Sequence, residues 1–305
     1  MEMTNGRFCD EFSTYHPINN MVFFFGAIIM GMIFLHPVFV VVNLVMSIVY
    51  LFIIKKKKAF KDLLWFFIIF LIVALINPLF NTMGQTVLFM LFISRPYTLE
   101  ALIYGVALGG MSASILSWFA CYNAVMTSDK FIYTFGKLIP SVSLILSMIL
   151  RLIPNLIRKT KQISNARACI GMAGDQSASS KEKIRNGAVV LSTLTSWSLE
   201  GGIITADSMR ARGYGSSKKR TNFAEYKFGL RNIILSVALG ILIFIIIFCA
   251  VNGGTYAEYT PTLNLIWFGD WYMFIGTIAY AIFLFIPSLL DIKEIIKWQI
   301  LRSKI

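Results

Sequence analysis

At 305 residues, 57% hydrophobic and only 14% charged, with mean hydropathy +0.72, the chain carries more apolar surface than a soluble domain can hide. The water-soluble classes are excluded, and an integral membrane protein is expected. The net charge of +13 is concentrated, with 17 Lys and Arg against 6 Asp and Glu in residues 127–231. In a polytopic membrane protein such an excess follows the positive-inside rule and places that region in the cytoplasm. No basic run is interleaved with aromatics in the way that grips single strands, so nucleic acid is not an expected partner.

Residues 1–20 are polar, and Asp10 and Glu11 precede an uncharged run, Met21–Ile54, which reads as membrane-spanning rather than as a removed signal peptide. Thirty-four residues exceed one straight crossing of about 20. His36-Pro37 interrupts them, and the spacing predicts spans at 21–35 and 38–54 with a tight reversal between, one long kinked helix being the alternative. Lys55–Lys58 with Lys61 marks a cytoplasmic loop. A third span runs from Leu63 to Ile76 and stops at Asn77-Pro78. The turn-rich and then β-prone stretch 77–98 is too short to recross as helix, and is expected on the outer face as a hairpin or re-entrant element. Leu99–Met126 is a fourth span, opened by Glu100 at the positive end of its helix dipole. Gly105, Gly109, Gly110, Ser112, Ala113 and Ser114 give it a face where another helix comes close, from a partner or from this chain.

From Thr127 the character changes. Pro140 and Pro154 break up apolar residues, and Lys130, Lys137, Arg151, Arg158, Lys159 and Lys161 intrude. Each charge costs about 2.5–3.5 kcal/mol at a helix centre, so amphipathic helices at or below the inner surface are expected here. Gly171–Ser180 is a linker by composition. Residues 188–212 then form an amphipathic helix, with Val190, Leu191, Leu194, Trp197 and Ile204 at three- and four-residue steps. Gly213 is placed to end it in the left-handed conformation. Arg212 then stands on the last turn and the small Ala211 admits a close neighbour, which makes a docking tip. A near-copy, Ala166-Arg167-Ala168, closes the preceding helical segment, with its glycine only at 171. Arginine at a helix C-terminus is ordinary, since it complements the dipole; two such ends in one polar region are not. Spans at 232–251 and 263–290, an outside loop 252–264 and a basic cytoplasmic tail 291–305 complete the chain.

The fold expected is therefore all-α, with about six transmembrane helices and a cytoplasmic helical region before the last two. Its parts are 1–126 (four spans), 127–222 (cytoplasmic helices) and 223–305 (two spans). Catalysis is not expected. The two histidines, His16 and His36, each precede a proline at a membrane edge, and no HExxH, Gly-x-Ser-x-Gly or Walker motif occurs. Cys9, Cys121, Cys169 and Cys249 lie far apart without CxxC spacing, so no metal site and no cofactor is expected. A stand-alone channel or carrier would need ionisable residues within its spans, which are nearly empty of them.

The chain resembles the transmembrane T component of energy-coupling factor (ECF) transporters, proteins of the CbiQ and EcfT type. The likeness rests on His16-Pro17, Asn77-Pro78 with Gly84, Pro140, Arg151–Pro154 and the two arginine motifs, and covers nearly the whole length. It implies a non-catalytic coupling subunit for uptake of a vitamin or transition-metal ion across a prokaryotic cell membrane. The implied partners are two ABC ATPase subunits, a substrate-binding S component and the lipid bilayer. It also implies that two Ala-Arg-Gly motifs dock the ATPases. Ala211-Arg212-Gly213 matches one fully; Ala166-Arg167-Ala168 matches the other with alanine in place of glycine, so that its helix is expected to continue toward Gly171.

Overall fold

The computed structural model describes residues 11–81, 84, 86–91, 95–138, 140–171, 180–214, 228–259, 264–265 and 271–302. The linker 172–179, the basic run 218–220 and much of the outside loop lie outside the described residues. The chain divides into two compact units, one of residues 1–130 with 226–305 and one of residues 131–225.

The first unit is a helical bundle: α1 (Glu11–Thr14), α2 (Pro17–Ile33), α3 (Pro37–Lys55), α4 (Ala59–Phe80), α5 (Leu99–Val125), the start of α6 (Ser128–Leu138), α9 (Leu230–Cys249) and α10 (Trp271–Arg302). Among the described residues, four helical stretches are long and apolar enough to cross a membrane: Pro37–Phe80, Leu99–Val125, Leu230–Gly254 and Trp271–Arg302. Pro17–Ile33 is a shorter apolar helix. The 44-residue stretch Pro37–Phe80 is not one rod, because a 3-10 turn of Lys56–Lys58, with Lys56 at φ 48, separates α3 from α4.

Both His-Pro pairs prove to be helix starts. His16 and His36 are the N-caps of α2 and α3; the Nδ1 of each accepts from the backbone N–H two residues on, and the proline fills the first helical position. A proline there loses no helical hydrogen bond. α2 and α3 are thus separate helices, not one kinked helix.

Two prolines read as interruptions, Pro78 and Pro154, lie inside helices instead. α4 starts at Ala59, four residues before the expected Leu63, and runs through Asn77-Pro78 to Phe80. Pro287 also lies inside a helix. Proline removes one backbone donor, and a helix held by its neighbours or re-satisfied locally absorbs that loss. α10 begins only at Trp271 and continues through the supposed basic tail to Arg302, with Asp291 buried.

Antiparallel strands β1 (Val87–Leu91) and β2 (Arg95–Thr98) form the hairpin expected between the third and fourth spans. Gly84 has φ +142, and a Cβ there would stand 2.5 Å from Glu100 Oε2. Glu100 is buried and accepts from the Thr86 N–H at 3.2 Å, so its carboxylate secures the hairpin as well as opening α5. After α9 a wide turn, Ala250–Gly254, leads to the two-residue strands β3 (Ala257–Glu258) and β4 (Asn264–Leu265), which pair antiparallel.

The small face of α5 is answered inside the chain. A Cβ on Gly105 would meet Ala74 O at 2.7 Å, one on Gly109 would meet Phe70 O at 2.8 Å, and one on Gly110 would meet Val40 Cγ1 at 2.8 Å. The first two let the α4 backbone approach α5, which is how helices associate where lipid removes the hydrophobic drive. The bundle core is aromatic, with Phe12, Phe23, Phe24, Tyr50, Trp118, Tyr280 and Phe283 at 0% exposure. Edge-to-face pairs such as Phe12–Phe23 (5.4 Å) and Phe23–Trp118 (5.5 Å) recur in it. One polar chain crosses this core: Trp118 Nε1–H donates to Asn43 Oδ1 at 2.7 Å, and Asn43 Nδ2 donates to Ser114 Oγ at 3.1 Å.

The second unit carries most of α6, then α7 (Pro140–Cys169) and α8 (Ser180–Ala211). Pro140 opens α7 as its first residue, whereas Pro154 sits exposed within it.

Candidate functional site: two arginine-bearing helix ends

α8 is 32 residues long and starts at Ser180, eight residues before the periodicity suggests. Its end is built as the sequence leads one to expect. Gly213 takes φ +75, its N–H donates to Arg210 O at 2.9 Å, and the Tyr214 N–H donates to Met209 O at 3.0 Å. This is the double closure of a Schellman cap, which needs a residue without Cβ strain in the left-handed region. Ala211, Arg212 and Gly213 are all exposed. The guanidinium stands at the tip of a helix that ends where it must.

α7 ends differently. It continues through Arg167 and Ala168 to Cys169, and Gly171 closes it with φ +75 and its N–H on Ala168 O at 3.1 Å. Alanine at 168 thus stays helical and avoids a left-handed cost of about 1–2 kcal/mol. As a result, Arg167 lies on the last turn, half-buried, rather than at the terminus. Its guanidinium turns onto α8: Nη1 donates to Asn186 O at 2.8 Å and Nη2 to Asn186 Oδ1 at 2.9 Å. Eight residues earlier on α7, Lys159 Nζ lies 4.9 Å from the centre of the Trp197 ring. The α7 order 159, 167 meets the α8 order 197, 186, so the two helices pass in opposite senses.

These contacts set the spacing of the arginines. Arg167 is anchored at Asn186, and Arg212 lies 26 residues further along α8. At 1.5 Å per residue that is about 39 Å of helix. The two side chains therefore cannot serve one small pocket; they suit two separate contacts.

The family model described as CbiQ, cobalt transport protein, matches residues 13–223, from α1 to just past the second arginine motif. The chain belongs to this family. The energy-coupling factor transporter transmembrane protein EcfT of Streptococcus thermophilus is similar to it, at 32% identity over 106 residues. That match covers 34% of this chain and 40% of the relative, so the chain spans about two fifths of the length of the curated relative it matches. The chain is thus a multi-pass membrane protein of a transport family.

What sequence reasoning missed in this CbiQ-family chain is a clasp around α1. The Phe12 N–H donates to Asp291 Oδ1 at 3.0 Å, and Arg231 pairs with Glu11 and bonds the Tyr15 hydroxyl. Lys130 is buried, and its Nζ donates to Ser13 O at 2.5 Å, Ser13 Oγ at 2.8 Å and Val125 O at 3.0 Å. The His16 N–H donates to Asn232 Oδ1 at 3.1 Å. Residues 11–20, read only as polar, are thereby tied to Lys130 at the start of α6, to α9 and to α10, and Asn19 and Asn20 are buried within α2. The available signal was Asn19-Asn20, one residue after a His-Pro start and directly before an apolar run. Among the described residues no cluster of His, Cys, Asp and Glu could hold a metal ion; Cys121 and Cys249 are buried and Cys169 is exposed.

Proposed function

We propose that this chain is the transmembrane coupling subunit of an energy-coupling factor importer for a vitamin or transition-metal ion. The observation that carries the reading is the pair of arginine-bearing helix ends, Ala166-Arg167-Ala168 and Ala211-Arg212-Gly213, about 39 Å apart along α8. Each arginine docks one ABC ATPase subunit, pairing its planar fork with a carboxylate. α2, α3, α4, α5, α9 and α10 cross the bilayer of a prokaryotic cell. The N-terminus, the Lys55–Lys58 turn, the helices of residues 127–222 and the end of α10 face the cytoplasm, in keeping with their basic excess. An S component packs against the spans and supplies the cargo site; the chain itself catalyses nothing. ATP-driven closure of the ATPases displaces α7 and α8, and that displacement reorients the S component.

The test is purification of the tagged chain in mild detergent from its native membrane, with mass spectrometry of what accompanies it. Two nucleotide-binding subunits and a small membrane protein are expected. Arg212→Ala should weaken ATPase capture by roughly 2–5 kcal/mol, about thirty-fold or more, with insertion unchanged. Cargo uptake into liposomes by this chain alone would refute the proposal.

A further inference from the structure

We propose that Asn186 is a positioning residue for Arg167, supplying by side chain the orientation that the first motif loses with its glycine. The inference rests on the docking reading above. Arg212 needs no such help, because the Gly213 cap fixes the end of α8 and exposes the residue at the tip. Arg167 stands on a continuing turn of α7, with the next three side chains still ahead of the closing glycine. From there a long flexible side chain has many directions open to it.

Asn186 selects one. It presents two acceptors, its main-chain oxygen and its amide oxygen, and takes one N–H from each terminal nitrogen of the guanidinium. A guanidinium holds five N–H donors in one plane, so two bonds fix the orientation of that plane. Three donors, including Nε–H, are left for a carboxylate on another subunit. The cation–π contact of Lys159 with Trp197 sets the two helices independently of this pair. Asn186 therefore acts on the arginine rather than on the crossing itself. Orienting the arginine in advance removes part of the ordering cost of binding, which for one long side chain is about a three- to ten-fold effect on affinity.

The experiment uses the full-length chain in detergent, in an Arg212→Ala background so that the Arg167 arm alone captures an ATPase subunit. Two readouts are taken: ATPase capture affinity, and the rate of phenylglyoxal modification at Arg167 by peptide mass mapping. Labelling is done in the Arg212-intact protein, with exposed Arg212 as internal standard. Asn186→Ala should weaken capture about three- to ten-fold and speed labelling of Arg167 but not of Arg212. Asn186→Asp, which keeps the acceptor, should retain slow labelling. In an Arg167→Ala chain, Asn186→Ala should add nothing. Unchanged labelling in Asn186→Ala overturns the positioning role, as does an equal loss of capture with and without Arg167, or tighter capture. If Arg167→Ala leaves capture untouched while labelling still responds to residue 186, the docking reading fails and the orienting contact stands.

Discussion

Replacing Gly105 by alanine tests whether the α4–α5 approach holds the first unit together. An ideal Cβ at 105 stands 2.7 Å from Ala74 O and 3.1 Å from Asn77 Cβ, where ordinary contact begins near 3.4 Å. The obstructing atom is a backbone oxygen, so no side chain can rotate away. α4 must retreat by about 0.7 Å, and a radial gap of that size forfeits roughly a quarter to a half of the dispersion well along the seam. Overpacking of this kind costs about 1–3 kcal/mol. Gly240→Ala is the control: it lies in the apolar helix α9 with nothing beyond its own helix backbone within 4 Å of the added carbon, and should lose nothing, gaining up to about 1 kcal/mol of helix propensity. Gly109→Ala meets Phe70 O at 2.8 Å and should cost a similar amount. The double substitution should cost less than the sum, because one retreat of α4 accommodates both. Reversible unfolding in mixed detergent micelles, followed by near-UV circular dichroism, gives the free-energy changes of all four variants. Equal stability of Gly105→Ala and Gly240→Ala would refute the reasoning.

Asn43→Leu should lower stability by about 1–2 kcal/mol in the same assay, since it strands the Trp118 Nε1–H in an aromatic core and removes the bond to Ser114. Gly213→Ala forces φ +75 on a residue with Cβ, which costs about 1–2 kcal/mol. Faster hydrogen exchange at positions 213 and 214, with weaker ATPase capture, is the expected result; unchanged exchange would show that the cap does not depend on glycine. Tyr259, in the loop after α9, is held above the usual tyrosine range, to about 12, first by burial and then by the charge of nearby Tyr104. Its hydroxyl donates to Leu35 O at 2.5 Å, a bond that only the protonated form can make. The folded value lies above the unfolded one, so this contribution is complete below pH 10 and is lost as pH rises through about 12. The absorbance titration of wild type minus Tyr259→Phe should show a single late step near pH 12, and a step near 10 would contradict it.

Features with local causes were legible in the sequence. Gly213 could be read as a cap because a Schellman closure is made within six residues, and the 87–98 hairpin announced itself by β-prone residues too few for a span. Features that depend on distant partners were not. Asp291 looked like the head of a basic tail, but it receives the Phe12 N–H from 279 residues away. Lys130 looked like a surface charge, yet its buried ammonium bonds to Ser13 and Val125. Pro78 and Pro154 were misleading in another way. The rule that proline ends helices describes local cost, and these helices are long enough, or well enough packed, to carry it. At the candidate site, both arginines were visible as types in a pattern. Only Arg212 was visible as a geometry, because its surroundings lie within its own helix end, whereas Arg167 takes its direction from Asn186 on another helix.

A strut passes on displacement only as far as it resists bending, and α8 is not uniformly stiff. Gly201 and Gly202 stand side by side between its crossing with Trp197 and its tip at Arg212, with nothing beyond the helix's own backbone within 4 Å of where either Cβ would be. Each glycine weakens a helix interior by about 1 kcal/mol relative to alanine, and here no neighbour braces the weak point. The outer segment, about 15 Å from Gly202 to Arg212, thus hangs from a compliant joint. On the proposed coupling reading, small tilts at the arginine would be absorbed there before they strain the crossing, so that the arm would yield to slight misfit and pass on only a stroke that exceeds its give.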